Sequence, residues 1–127
     1  MTRSAIKTNS APGAVGPYSQ AIDTGALVFL AGQVGLDPAT GQIVEGGIEA
    51  QTERVMRNLT GVLDAAGLTF DDVAKTTCFL ADIADFEAFN KVYARVVSDP
   101  PPARSTFAVA GLPRGALIEV EAIAVRR

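Results

Sequence analysis

The residues best suited to chemistry lie in the last quarter of the chain, in the segment 100–125. Arg104 follows three consecutive prolines, and its planar guanidinium suits bidentate recognition of a carboxylate or a phosphate. Glu119 and Glu121 alternate with apolar residues, so a strand would place both carboxylates on one face beside two β-branched residues. A carboxylate is unfavourable in such an apolar setting unless a ligand or a partner uses it.

Two interpretations of Arg104 are open on these residues. The arginine could form a structural ion pair with Glu119 or Glu121, because ion-pair networks also gather charged side chains. Alternatively, it could hold the carboxylate of a ligand, on backbone stiffened by the preceding prolines.

The composition restricts the chemistry. The chain has no histidine, which excludes Ser-His-Asp and Cys-His catalysis as usually built and any histidine-based metal site. Acid–base work must then fall to Glu, Asp, Tyr, Lys or water. The single cysteine, Cys78, excludes an internal disulfide, and its place in an apolar run indicates a buried thiol.

The length indicates one domain, residues 1–127. Apolar residues make up 48% of the chain, which is enough for a core. A net charge of −3 offers no basic stripe for a nucleic acid. No apolar run approaches the ~20 residues of a membrane helix. The N-terminal residues 1–13 do not resemble a signal peptide, so we expect a cytoplasmic protein without nucleic-acid or membrane partners.

Apolar spacing predicts two helices. The first spans Ile48–Ala66 and ends at Gly67, a residue suited to a helix C-terminus. The second begins near Phe86 and ends before Pro100, with Val96 and Val97 on its apolar face.

Alternating or β-branched runs predict about six strands: 5–10, Pro17–Ile22, Leu27–Ala31, Val73–Leu80, Ser105–Val109 and Leu117–Val125. The second and third should form a hairpin, and so should the last two, through a Gly/Pro turn at 111–115. The glycine-rich segment 32–47 is predicted to be a loop. Gly32 could let a ligand approach the backbone or could mark an ordinary bulge.

These elements predict an α+β fold. Two helices can cover only one face of a single sheet. Several strands are nevertheless apolar on both faces, Leu27–Ala31 among them, so we expect a homo-oligomer that buries the second face, with Glu119 near the contact.

Several motifs, in order along the chain, resemble the RidA/YjgF family: GPYSQA (16–21), AGQVGLDPATG (31–41), AAGL (65–68), DFEAFNKVY (85–93), PARS (102–105) and LPRGALIEVEAIAV (112–125). The resemblance implies a chorismate-mutase-like fold, a single six-stranded mixed sheet with two helices on one face. It also implies a homotrimer whose sheets form a central β-barrel, with ligand clefts between subunits.

The resemblance further implies hydrolysis of 2-imino acids, or their enamine tautomers, to 2-keto acids and ammonia, without cofactor or metal. By motif, Arg104 corresponds to the residue that holds the substrate carboxylate, Glu119 to the one that positions water and Tyr18 to a cleft position. On chemical grounds, Tyr18 or a solvent proton could serve the departing nitrogen. The remaining cleft positions carried over are Ala31, Gly32, Phe86, Asn90 and Thr106.

Two cleft positions depart from some imine deaminases, which have serine where this chain has Ala31 and cysteine where it has Thr106. An alternative function is therefore a non-catalytic cleft that binds keto acids or other small carboxylates as a sensor or regulatory partner. RNA cleavage, attributed to some relatives, is disfavoured by the acidic balance and the missing histidine.

Overall fold

A six-stranded mixed sheet carries the fold. The computed structural model describes residues 2–127, with the strands β1 Ser4–Ile6, β2 Ala21–Asp23, β3 Leu27–Val34, β4 Leu36–Asp37, β5 Gln42–Ile43, β6 Val73–Leu80, β7 Ala103–Ala108 and β8 Ile118–Val125, and the helices α1 Gly47–Ala65 and α2 Phe86–Tyr93. The main sheet has the order β1-β2-β3-β8-β6-β7, and only β6 and β7 are parallel. The predicted α+β fold, with one six-stranded mixed sheet and two helices, is confirmed.

Helix α1 follows the predicted apolar spacing closely. Val55, Leu59 and Val62 are fully buried against the sheet. At its C-terminus the Gly67 amide donates to the Asp64 carbonyl, with φ at +76° for the glycine. Glycine reaches this left-handed conformation without strain, so it ends the helix where the sequence predicts.

Helix α2 is shorter than predicted, because it ends at Tyr93 and leaves Val96 and Val97 in the following turns. The Val96 amide donates to the Tyr93 carbonyl three residues earlier, a tightened turn. Prolines 100–102 follow, and they have no N–H to continue a helical ladder.

The predicted hairpin between the last two strands is wrong. β7 and β8 both pair with β6, β7 in parallel and β8 antiparallel, so β6 lies between them. The flanking strands are then two strand spacings apart, roughly 10 Å. The connecting segment 109–117 spans that distance, and sequence adjacency alone cannot distinguish such a crossover from a tight turn. The other predicted hairpin is confirmed as β2 paired antiparallel with β3.

The predicted loop 32–47 is also partly wrong. β3 continues to Val34 through a bulge between Leu30 and Gln33, and β4 and β5 then form a separate two-stranded sheet. The bulge lets the strand continue past Gly32, so the interpretation of this glycine as part of a bulge is confirmed.

The two faces of the sheet differ in cover. Val28, Leu30, Val120 and Ala122 are buried in the core beneath the helices. On the opposite, open face Phe29 remains 42% exposed, so within this chain β3 is covered on one side only.

Candidate functional site

The register of the strands places Arg104 on the helix-covered face. Arg104 lies opposite Thr76 of β6, which in turn lies opposite the buried Ala122 of β8. Directly opposed residues point to the same side of a sheet. Thr106, two residues further along β7, lies opposite the buried Cys78 and therefore points to the same side.

Helix α2 surrounds the Arg104 guanidinium with aromatic rings. Its Cζ atom lies 4.9 Å from the ring centroid of Tyr93, 5.4 Å from that of Phe89 and 5.6 Å from that of Phe86. The Tyr93 hydroxyl shares a 2.7 Å hydrogen bond with the Thr76 hydroxyl. The aromatic spacing at 86, 89 and 93 predicted only an apolar helix face. The sequence indicated a cation site only through the arginine itself. Its contact with the three rings was not predicted, because Arg104 is separated from them in the sequence.

Two polar atoms near this arginine are buried without a hydrogen-bond partner in the described part of the chain, Asn90 Oδ1 and Thr106 Oγ1. Asn90 and Arg104 also line a cavity of about 700 Å³ together with Tyr93, Val97 and the proline segment. Leaving a buried polar atom unpaired is unfavourable, so both oxygens are suited to accept or share a proton with a ligand. We call Arg104, Asn90, Phe86 and Thr106 the arginine half-site.

Cys78 lies beneath this half-site as a fully buried side chain. Burial raises the pKa of its thiol to about 11, against weaker opposing effects from Thr76, Arg104 and Thr106. The prediction that Cys78 is a buried thiol is therefore confirmed. A thiol that stays protonated at neutral pH is also a poor nucleophile.

Glu119 lies on the open face. It is opposite Phe79 of β6, which is opposite Phe107 of β7, and the two phenylalanine rings pack edge to face with centroids 5.3 Å apart. The Glu119 carboxylate lies over Gly32, because a Cβ built on this glycine would be 2.9 Å from Glu119 Cδ and would overlap a carboxylate oxygen. The bulge and the missing side chain at Gly32 together make room for the carboxylate.

The electrostatics of Glu119 suit a base. Partial burial raises the pKa of its carboxyl, and repulsion from Glu121 raises the pKa further. A carboxylate with a raised pKa is a stronger proton acceptor than an ordinary glutamate.

Tyr18 and Ala31 line a second cavity, of about 620 Å³, with Phe29 and the loop before β2. Tyr18 is 50% exposed, and its hydroxyl accepts a 3.4 Å hydrogen bond from the Val15 amide. Ala31 directly precedes Gly32, the residue over which the Glu119 carboxylate lies. We call Glu119, Gly32, Ala31 and Tyr18 the glutamate half-site.

The ion-pair interpretation of Arg104 is wrong within one chain. Arg104 faces the helices and both glutamates lie on the open face, so the sheet separates them. Among residues 2–127 the ion pairs are Lys91–Glu49, Arg126–Asp23 and Arg127–Asp72. Glu121 takes part in no ion pair among residues 2–127, and its side chain is exposed.

Within the part of the chain described, no cluster of three or more His, Cys, Asp or Glu side chains is suited to hold a metal ion. The same residues include no helix that is both long and apolar enough to cross a membrane.

The structure is thus a six-stranded α+β sheet whose candidate site combines an arginine among aromatic rings with a half-buried glutamate over a glycine. Residues 8–126 match the family described as Endoribonuclease L-PSP, the RidA/YjgF family, and the chain belongs to this family.

Its relatives match over nearly the whole length. The chain is 52% identical to Protein DfrA of Myxococcus xanthus, over 98% of this chain and 97% of that protein. It is 46% identical to the 2-iminobutanoate/2-iminopropanoate deaminase of Mus musculus, over 98% of this chain and 92% of that protein. A crystal structure of E. coli TdcF with bound serine superposes with a TM-score of 0.93 at 39% identity, covering 98% of this chain and 99% of that chain.

Proposed function

We propose that this protein hydrolyses reactive 2-imino acids and their enamine tautomers to 2-keto acids and ammonia. Full-length relatives carry the name of this activity. The observation that carries the proposal is the half-buried Glu119 carboxylate, held over Gly32 with a raised pKa. A base of this kind is what water needs in order to attack an imine carbon at neutral pH.

The reaction follows from the residues in each half-site. Arg104 holds the substrate carboxylate through two parallel N–H donors. Beside it, the unpaired Thr106 hydroxyl can donate to the substrate, and the unpaired Asn90 amide oxygen can accept from an N–H of the substrate. Glu119 takes a proton from water as the water oxygen bonds to the imine carbon, and the C=N electron pair moves to nitrogen, which takes up a proton from Tyr18 or from solvent.

The carbinolamine then collapses. The nitrogen gains a proton from Glu119, from Tyr18 or from solvent and leaves as ammonia, while the hydroxyl loses its proton to form the keto group. The imine carbon is already electrophilic, so no covalent nucleophile is needed and positioning of the reactants supplies much of the rate.

One chain cannot form the whole site, because the sheet separates the arginine half-site from the glutamate half-site. We therefore propose that the cleft forms between copies in a homotrimer whose open faces meet in a central barrel. The exposed apolar residues of that face support this assembly, including Phe29 at 42% and Phe107 at 45% exposure. Apolar patches of this kind mark association surfaces.

Sedimentation velocity at micromolar concentration should give about three chains per particle, as expected of a closed ring of identical interfaces. Phe29→Asp should shift the protein to a monomer that keeps its helical circular dichroism and loses turnover. As a control, Val15→Asp changes an exposed residue of the loop before β2 and should leave the trimer intact. A wild-type monomer with full turnover would contradict the shared cleft.

Gly32→Ala should lower imine hydrolysis by on the order of 10²-fold, because a displaced catalytic group loses its alignment. The added Cβ overlaps the flexible end of Glu119, so the carboxylate moves while the strand stays in place. The matched control is Gly111→Ala, where a Cβ meets no atom within 4 Å. Equal turnover in the two variants would show that the position of Glu119 over Gly32 is unimportant.

The function itself is tested by generating 2-iminopropionate and 2-iminobutyrate in place with a pyridoxal-phosphate dehydratase. Keto acid should appear faster with this protein than from spontaneous hydrolysis alone. The alternative, a keto-acid-binding module, is favoured by Ala31 and Thr106 and predicts 2-ketobutyrate binding without acceleration.

A further inference from the structure

The three rings around Arg104 differ in how firmly they are held. Tyr93 is the nearest, and its hydroxyl bonds to Thr76, the residue that lies opposite Arg104 in the parallel strand pair. Phe89 packs against the Tyr93 ring with centroids 5.3 Å apart. Tyr93 is therefore fixed at its hydroxyl end and along its ring, directly beneath the guanidinium.

A ring face within about 6 Å attracts a cation, and guanidinium groups stack on aromatic rings in defined planes. Arg104 has no ion-pair partner among residues 2–127 that could orient it instead. Within the chain, the groups placed to orient its planar fork are therefore the aromatic rings.

We propose that Tyr93 is the positioning residue of the carboxylate clamp. Its ring, anchored by Thr76 and Phe89, holds the Arg104 guanidinium in the plane from which two N–H donors meet a 2-imino or 2-keto carboxylate. This inference rests on the proposed function, since it assigns a role to Tyr93 in binding the same substrate.

The first test compares variants of the ring. Tyr93→Leu should weaken 2-ketobutyrate binding by about 2- to 12-fold, because binding must then order an arginine side chain that the ring holds in place in the wild type. Tyr93→Phe keeps the ring and its packing on Phe89 but loses the bond to Thr76, so its affinity should lie between those of the wild type and Tyr93→Leu. Because Arg104 holds the carboxylate before and during the reaction, KM should rise with Kd while kcat changes little.

A matched control separates positioning from general destabilisation. Phe70→Leu removes another buried aromatic of the same core, in the turn between α1 and β6. It should lower the melting temperature as Tyr93→Leu does, yet leave Kd and KM unchanged. Equal losses of affinity in both variants, or a Tyr93→Phe variant as weak as Tyr93→Leu, would overturn the inference.

A second series keeps the shape of the ring, so folding is not at stake. Phenylalanine with zero, one, two and three ring fluorines is placed at position 93, which progressively reduces the negative potential of the ring face. Affinity for 2-ketobutyrate should fall stepwise with each fluorine, and a flat series would refute the inference.

Wild-type imine turnover is measured in parallel, so that the two proposals are separated. Turnover with a flat fluorine series means that the deaminase proposal stands and the role of Tyr93 fails. A graded series without turnover means that Tyr93 positions the clamp of a binding protein and the deaminase proposal fails.

Discussion

Glu119→Gln should lower the enzymatic rate of imine hydrolysis by about 10²–10⁴-fold, the usual effect of removing a general base. The glutamine keeps the shape of the side chain but cannot accept a proton from water. Binding of 2-ketobutyrate should change far less, because Arg104 holds the carboxylate. The measurement is turnover with imine generated in place, after subtraction of the spontaneous hydrolysis rate. Wild-type turnover in this variant would rule out Glu119 as the base.

The pH dependence follows from the direction of the Glu119 pKa. Burial first and Glu121 second raise it, so the base becomes protonated, and turnover falls, at a higher pH than for an ordinary glutamate. A folded-state pKa above the unfolded value means that stability falls as pH rises through this interval. Glu119→Gln should therefore melt at a higher temperature than the wild type at pH 7, with the difference vanishing in acid.

Glu121→Gln is the matched control, because it changes an exposed glutamate two residues along the same strand face. It removes the repulsion that helps to raise the Glu119 pKa, so the acid limb of the pH–rate profile should move to lower pH. Its maximal turnover should remain close to the wild type. If this variant loses turnover while Glu119→Gln keeps it, the roles of the two glutamates are reversed.

Arg104→Lys should weaken 2-ketobutyrate binding by about 10- to 100-fold, the range for losing one charge-assisted hydrogen bond of a bidentate pair. Lysine keeps the positive charge but lacks the planar fork and stacks less well on the rings of Tyr93 and Phe89. Titration calorimetry with 2-ketobutyrate measures the change.

Arg95→Lys is the control for that substitution, since Arg95 is an exposed arginine just after the same helix. It should bind 2-ketobutyrate as the wild type does. Unchanged affinity in a folded Arg104→Lys variant would mean that the arginine does not hold the carboxylate.

Local patterns predicted the elements well where one residue or spacing decides them. Apolar spacing gave α1, and Gly67 gave its end, because a left-handed residue is needed there. The pairing between strands was harder to predict from the sequence. The β7–β8 hairpin failed because β6, earlier in the chain, offers hydrogen bonds to both strands, a long-range choice that turn residues do not encode.

The candidate site shows the same division. Residue type and alternation single out Arg104 and Glu119 as candidates, whereas their separation by the sheet becomes visible only from the strand register. The proposed role of Tyr93 was not predicted, because an aromatic residue at helical spacing indicates a core position. Tyr93 does lie in the core, and its ring also contacts Arg104. The roles of the site residues, the single domain and the cytoplasmic location remain predictions.

The most direct test of a cleft shared between copies is complementation of two inactive variants. Arg104→Lys and Glu119→Gln chains are co-expressed with different tags, and trimers that carry both tags are purified. If each site joins the arginine half-site of one copy to the glutamate half-site of the next, every trimer that carries both tags keeps about one intact site in three, by the symmetry of a ring. We predict that imine hydrolysis recovers toward that fraction of the wild-type rate. Mixed trimers as inactive as either parent would contradict the account, because both half-sites would then have to come from a single chain.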